Sequence, residues 1–265
     1  MKNILIIFFV FLFSFNVISC SSKDSGSSST STASDDKTNV CSSSSISTRQ
    51  LARSSNDYAY GVATDSSGNV YVTGGTNGGL DGNTNAGNTD LFVVKYNSSG
   101  TKQWTKQLGS SSRDSANGVA TDSSGNVYVA GGTYGGLDGN TNAGNSDLFV
   151  VKYNSSGTKQ WTKQLGTSSS DYAYGVATDS SGNVYVTGYT EGGLDGTSAG
   201  SADLFVVKYN SSGTKQWTKQ LGSSSRVYDY GVATDSSRNV YVSGDTYGGL
   251  DNNTNAGYNS SGTKQ

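Results

Sequence analysis

Two sets of oxygen-bearing residues at alternating positions are the first candidates for chemistry in this chain. Asp81, Asn83 and Asn85, with Asp90 beyond, space their side-chain oxygens as calcium loops do, and Asp138, Asn140, Asn142 and Asp147 repeat the pattern. The loop departs from a calcium site in three ways: its sixth position is Ala86 and not Gly, no Glu closes it, and the third copy reads Asp195-Gly196-Thr197-Ser198. The same residue types make ordinary turns, so no cofactor is expected and calcium is the lesser reading. Asp65, Asp122, Asp179 and Asp235 also recur, each opening a turn with two serines behind it. Carboxylates gathered around a channel would suit acid–base catalysis, but turn capping accounts for all four, and no catalytic residue is assigned. Residues that break the repetition are better candidates for a ligand site. Tyr189 and Asp245 stand where the first copy has Gly75, Glu191 and Tyr247 where it has Asn77, and Asp229 where it has Ala59. They fall on strand ends and the long loop; drift between recent duplicates explains the same differences.

Composition narrows the chemistry further. His is absent, which removes the usual general base, the Ser-His-Asp arrangement and the commonest zinc ligand, and Glu191 is the only Glu. The formal charge of −2 is spread without blocks, and no basic face interleaved with aromatics appears, so nucleic acid is not an expected partner.

The elements that must position these residues come from a repeat. Residues 57–113 return almost verbatim as 114–170, again from Asp171, and in altered form from Val227. A unit of ~57 residues this rich in Gly and Ser is too small to bury a core alone and must stack on its neighbours. Within the first copy, Tyr60 to Thr64 is a β-prone run ended by Asp65-Ser66-Ser67-Gly68, which suits a type I turn followed by a left-handed residue. Asn69 to Thr73 returns as a second strand, and a Gly-rich loop is expected from Gly74 to Asn88. The third strand, Leu91 to Tyr96, is apolar on both faces over its first four positions, as a strand sandwiched between sheets should be. After a second such turn, Lys102 to Leu108 alternates, with Trp104, Lys106 and Leu108 on one face; Lys on such a strand protects an outer edge.

Four antiparallel strands per repeat, the most polar last, is the plan of a propeller blade. The run Asp57 to Gly74 (Asp-x-x-x-Gly-Val-Ala-Thr-Asp-Ser-Ser-Gly-Asn-Val-Tyr-Val-Thr-Gly) and then Asp90-Leu91-Phe92-Val93-Val94-Lys95-Tyr96-Asn97 with Gly100 resembles the SBBP β-propeller repeat of bacterial exported proteins. The expected fold class is all-β: a β-propeller-like array of about four four-stranded blades over residues 48–265, the last incomplete. Thr48-Arg49-Gln50-Leu51 matches the end of an outer strand and could complete a blade built by the other terminus. The copy from Val227 passes from Gly257 straight to Tyr258, without counterparts of residues 145–152, so its third strand is expected to be missing. An unfinished blade leaves an edge that invites self-association or pairing with another chain. Arg238 also replaces the turn glycine found as Gly68, Gly125 and Gly182.

Ahead of the array, Lys2 and the apolar run from Ile4 to Ile18 read as an export signal. Its end, Val17-Ile18-Ser19-Cys20, resembles the lipobox of bacterial lipoproteins, which implies a signal peptide over residues 1–19 and lipidation of Cys20. Residues 20–47 would then be the lipidated Cys and a Ser-rich tether reaching roughly 30 Å as a flexible coil. Cys41 is left as an odd thiol. Ser21 after the Cys, in place of Asp, implies outer-membrane or surface delivery. The function expected is that of a lipid-anchored, exported envelope protein acting as a non-enzymatic binding or structural module for a protein or glycan. The alternatives are a propeller-type enzyme, such as a metal-dependent hydrolase or lyase, and a remnant without activity.

Overall fold

The computed structural model describes residues 55–250 together with two short strands, β1 (Val17–Ile18) and β2 (Ile46–Ser47), which pair antiparallel in a unit separate from the repeats. Cys20, Cys41, residues 48–51 and residues 251–265 lie outside the described residues, as do most of the signal and tether segments.

Each repeat forms one antiparallel sheet. The first comprises β3 (Asp57–Thr64), β4 (Val70–Thr76), β5 (Asp90–Tyr96) and β6 (Lys102–Leu108) in sequence order. The second comprises β7 (Asp114–Thr121), β8 (Val127–Thr133), β9 (Asp147–Tyr153) and β10 (Lys159–Leu165). The third has β11 (Asp171–Thr178), β12 (Val184–Thr190), β13 (Asp203–Tyr209) and β14 (Lys215–Leu221). Among the described residues the fourth has only β15 (Val227–Thr234) and β16 (Val240–Thr246). The second strand is longer than the sequence suggests: Gly74, Gly75 and Thr76 belong to β4. Glycine lowers strand propensity, but here pairing on both sides overrides it.

The turns follow the sequence grammar. Gly68 lies at φ 76° and donates its N–H to the Asp65 carbonyl at 3.0 Å, closing a three-residue hairpin loop. Arg238 holds the same left-handed conformation at φ 69°, which costs a non-glycine residue about 1 kcal/mol.

The hydrophobic cores sit between blades. Tyr71, Leu91 and Val93 of the first sheet pack with Ala116, Val127, Val129 and Phe149 of the second. Leu148 and Val150 of the second pack in turn with Ala173, Val184, Phe205 and Val207 of the third. This is why no single copy suffices: each buries its apolar face only against the next. The innermost strands β3, β7, β11 and β15 are stitched by a repeated bond, in which Thr121, Thr178 and Thr234 each donate a hydroxyl to the matching Thr carbonyl of the preceding blade.

The outer strands are not simple exposed edges. Trp104 Nε1 donates to the Ser155 carbonyl in the second blade's outer turn at 3.3 Å, and Lys95 Nζ reaches the same oxygen at 3.1 Å. Gly157 in that turn lies against the Trp104 ring, where a Cβ would stand 3.0 Å away. Trp161 and Lys152 grip Ser211 in the same way. On the opposite face, Gln107 bonds Leu80 N, Gly78 O and Asp90, so the "polar" face of the strand pins the long loop.

Candidate functional site

A β-bulge in each innermost strand builds the site. Ala59 pairs with Gly74 and Gly61 with Thr73, leaving Tyr60 as the extra residue; Asn117, Tyr174 and Tyr230 occupy the same position in the next three blades. Bulges re-aim side chains, and these four line one cavity, joined by Arg113, Ser115, Tyr134 and Tyr172. The cavity has a volume of 530 Å³, and Tyr60 of the first blade and Tyr230 of the fourth both border it. The bulge depends on glycine opposite. A Cβ at Gly74, Gly131, Gly188 or Gly244 would fall 1.8 to 2.0 Å from a carbonyl oxygen of the bulged strand. Gly132 plays a second part: the Tyr172 ring lies directly over it, where a Cβ would come within 2.6 Å.

The walls of this cup are aromatic. Tyr172 meets Tyr134 edge-on with centroids 6.1 Å apart and Tyr189 at a tilt at 5.5 Å, while Tyr189 stacks on Tyr174 at 5.9 Å and takes Tyr228 edge-on at 4.9 Å. The Tyr134 and Tyr172 hydroxyls bond each other, and Tyr230 donates to Asp245 Oδ2 at 3.1 Å. Burial pushes the Tyr172 phenol up to about 12 and raises Tyr174 and Tyr189 as well. For Tyr230 the upward push comes first from its bond to Asp245. These phenols stay protonated at neutral pH, so they act as hydrogen-bond donors and flat stacking faces. With Arg113 and Asn117 they form an amphipathic surface suited to a ligand with both apolar and hydroxyl faces.

The residues singled out by sequence divide on inspection. Tyr189 adjoins the cup, as described, and Asp245 holds a cup tyrosine. Glu191 is exposed beside it and uses its backbone N–H on Ser170 O, and Tyr247 is exposed with its N–H on Arg226 O. Asp229 differs from the strand-end placement expected of it: it is fully buried inside β15, accepting from Thr187 Oγ1 at 2.6 Å and from Gly231 N at 3.2 Å. It lies two residues after the buried Val227, on the face of β15 that regular alternation turns inward. Burial raises its carboxyl to about 6 against these two bonds. The cup residues Tyr60, Tyr134, Tyr172, Tyr174, Tyr230 and Arg113 were missed by sequence reasoning. The signal was present in copy-to-copy change at positions 58 and 60, which the second copy fills with Ser115 and Asn117.

The oxygen-rich loops are occupied by their own structure. Asp81 pairs with Lys102 and accepts from Thr105, and Asp138 likewise meets Lys159 and Thr162. Asn83 and Asn140 donate to the carbonyls of Leu80 and Leu137. Asn85 and Asn142 accept from Gly87 and Gly144, and Asp90 and Asp147 accept from Ala86 and Ala143. Among the described residues no group of three or more His, Cys, Asp or Glu is placed to hold a metal. The turn aspartates cap as expected and do more. Asp65 accepts from Ser67 N, from Asn69 through N and Nδ2, and from the buried Tyr71 hydroxyl at 2.9 Å. Partial burial would raise its carboxyl, but the bonds from Asn69, Tyr71 and Ser67 outweigh it and hold it below the usual range.

Bulged inner strands, cores between sheets and a cup bordered by residues of all four repeats define a repeat module of the β-propeller class. The chain belongs to the SBBP β-propeller repeat family, whose model matches residues 48–81, 103–138, 160–195 and 216–251. It is similar to an uncharacterized WD repeat-containing protein of Acanthamoeba polyphaga mimivirus, 29% identical over 186 residues, and to the regulatory protein FlaEY of Caulobacter vibrioides, 28% identical over 171. Those matches cover 55% and 58% of this chain but only 13% and 18% of the relatives, so it corresponds to a small part of each.

Proposed function

We propose that this chain is an exported, lipid-anchored binding module without enzymatic activity, which presents its tyrosine cup at the cell envelope to a glycan. The observation that carries this reading is the cup itself, whose lining sets tyrosine rings and hydroxyls beside Arg113 and Asn117. A pyranose ring offers an apolar face to a tyrosine ring and hydroxyls to neighbouring donors, and the cup provides both. The names of the two relatives, a WD repeat-containing protein and a regulatory protein, agree with a non-enzymatic role.

The ligand class is tested by applying the chain to an array of envelope oligosaccharides. Wild type is expected to bind a subset, and Tyr174→Ala or Tyr230→Ala to weaken that binding by tenfold or more, about 1.4 kcal/mol or greater. Tyr174 and Tyr230 are partly exposed, so the variants should melt within a few degrees of wild type. A chain that ignores the array and instead captures an envelope protein would overturn the glycan.

The anchor rests on the lipobox-like Val17-Ile18-Ser19-Cys20. Several acyl chains, each contributing about 0.8 kcal/mol per buried methylene, hold a protein stably on a bilayer. Radiolabelled palmitate is expected to enter the wild-type protein and to be lost entirely from Cys20→Ala, which should shift to the soluble fraction. Wild type without label would rule the anchor out.

A further inference from the structure

The fourth copy lacks in its sequence the segment that forms the third strand of the first three blades, since Gly257 runs straight into Tyr258. In those blades the second strand is covered by a third of sequence Asp-Leu-Phe-Val-Val-Lys-Tyr: β5, β9 and β13. Tyr71, Tyr128 and Tyr185 are consequently 0%, 0% and 2% exposed, whereas their counterpart Tyr241 is 57% exposed. Val72, Val129 and Val186 are buried, and Val242 is only half-buried. Among the described residues β16 pairs with β15 alone, and beside it runs a groove of 480 Å³ lined by Val240, Val242, Gly244, Leu204, Val206 and Leu221. The groove continues the apolar layer that separates the complete blades, and among the described residues no third strand covers it.

From this continuity we infer that the β16 edge is a receptor for an extended segment of a partner polypeptide, added antiparallel as a third strand. Its chemistry is fixed position by position. In the third blade Tyr185 faces Lys208, Val186 faces Val207, Gly188 faces Phe205 and Thr190 faces Asp203. Carried over, Tyr241 takes a lysine, Val242 a valine, Gly244 a phenylalanine and Thr246 an aspartate. The tyrosine and lysine are complementary: Lys95, Lys152 and Lys208 sit 5.2 to 5.4 Å from the centres of the three covered tyrosine rings, an attraction between cation and ring face that a lysine opposite Tyr241 would repeat. The glycine matches the phenylalanine, since a Cβ at Gly131 would come within 2.9 Å of the Phe149 ring. Beyond the strand, an Asn-Ser-Ser-Gly turn would bring a carbonyl to Trp217, which is more exposed than the clasped Trp104 and Trp161. Main-chain bonding supplies affinity in such strand addition, and alternate side-chain pockets supply selectivity.

The test uses the full chain and a fluorescent synthetic peptide with the sequence of residues 203–213. Saturable binding at one peptide per chain is expected, weakened at least tenfold by Val242→Asp and absent for a scrambled peptide. Val242→Asp places its charge in the open groove, and its melting temperature is measured alongside. A peptide with glutamate in place of the lysine provides a second measurement that leaves the protein untouched; it too should bind at least tenfold more weakly. No saturable binding, or equal binding of the scrambled peptide, overturns the inference. So does a chain that sediments as a dimer and excludes the peptide, because the edge is then held by a second copy.

Discussion

Asp229→Ala is expected to make the protein more stable at neutral pH, by about 2 kcal/mol, which raises the melting temperature by roughly 4–8 °C for a domain of this size. The carboxyl is fully buried in β15, and burial raises its folded value from 3.8 to about 6. A raised carboxyl means that the folded state holds a proton the unfolded chain releases. Below about pH 4 both states are protonated and Asp229 costs nothing through ionisation. Between about pH 4 and 6 the unfolded state ionises first, so stability falls as pH rises, and above about pH 6 the full penalty remains. The other copies place Ala59, Ala116 and Ala173 here. Thr187, which now donates to Asp229, has an alternative acceptor: its counterpart Thr73 donates to the Phe92 carbonyl at 2.6 Å, and Phe205 offers the equivalent oxygen. Melting curves of wild type and variant between pH 3.5 and 7.5 decide the matter. The gap between them should open across pH 4 to 6; a variant less stable than wild type at pH 7 would refute the account.

Gly131→Ala is expected to do the opposite and cost about 3 kcal/mol or more, through backbone strain and overpacking. Its Cβ would stand 1.9 Å from the Ser115 carbonyl oxygen and 2.8 Å from Ala116 Cα, both main-chain atoms that cannot rotate away. Relief requires the bulge at Asn117 to open, which would turn β7 over relative to β8 and pull Asn117 out of the cup. Gly132→Ala is the control one residue along. There the obstacle is the Tyr172 ring, a side chain able to swing, so stability should fall less while the cup is reshaped. Thermal melts of the two variants side by side test this; a loss under about 1 kcal/mol for Gly131→Ala would mean that the bulge is not held by glycine.

Both predictions mark where sequence reading reached and where it stopped. The Asp-Ser-Ser-Gly turns, the doubly apolar Leu91 to Val94 and the alternation around Trp104 identified strands and their order, because each depends on near neighbours in the chain. A loop beginning at Gly74 starts three residues too early, because Gly74 and Gly75 have loop-like composition while the bulge opposite requires Gly74 inside β4. The fate of the Trp104 face was also out of reach. The Ser155 carbonyl that accepts its indole lies in the next blade, some fifty residues further on.

The repeat by itself determined the fold class, the blade boundaries, the interior of each sheet and the shortfall in the fourth copy. Those properties follow from periodicity and from how much apolar surface one unit can hide, both of which a linear sequence records. Tertiary structure alone decided which tyrosines meet. One extra residue in each inner strand sends Tyr60, Tyr174 and Tyr230 to a common cup, and the neighbouring sheet supplies the Thr187 hydroxyl that meets the buried Asp229. A bulge is a relation between two strands, set by what stands opposite, and so it leaves no period in the sequence of either one.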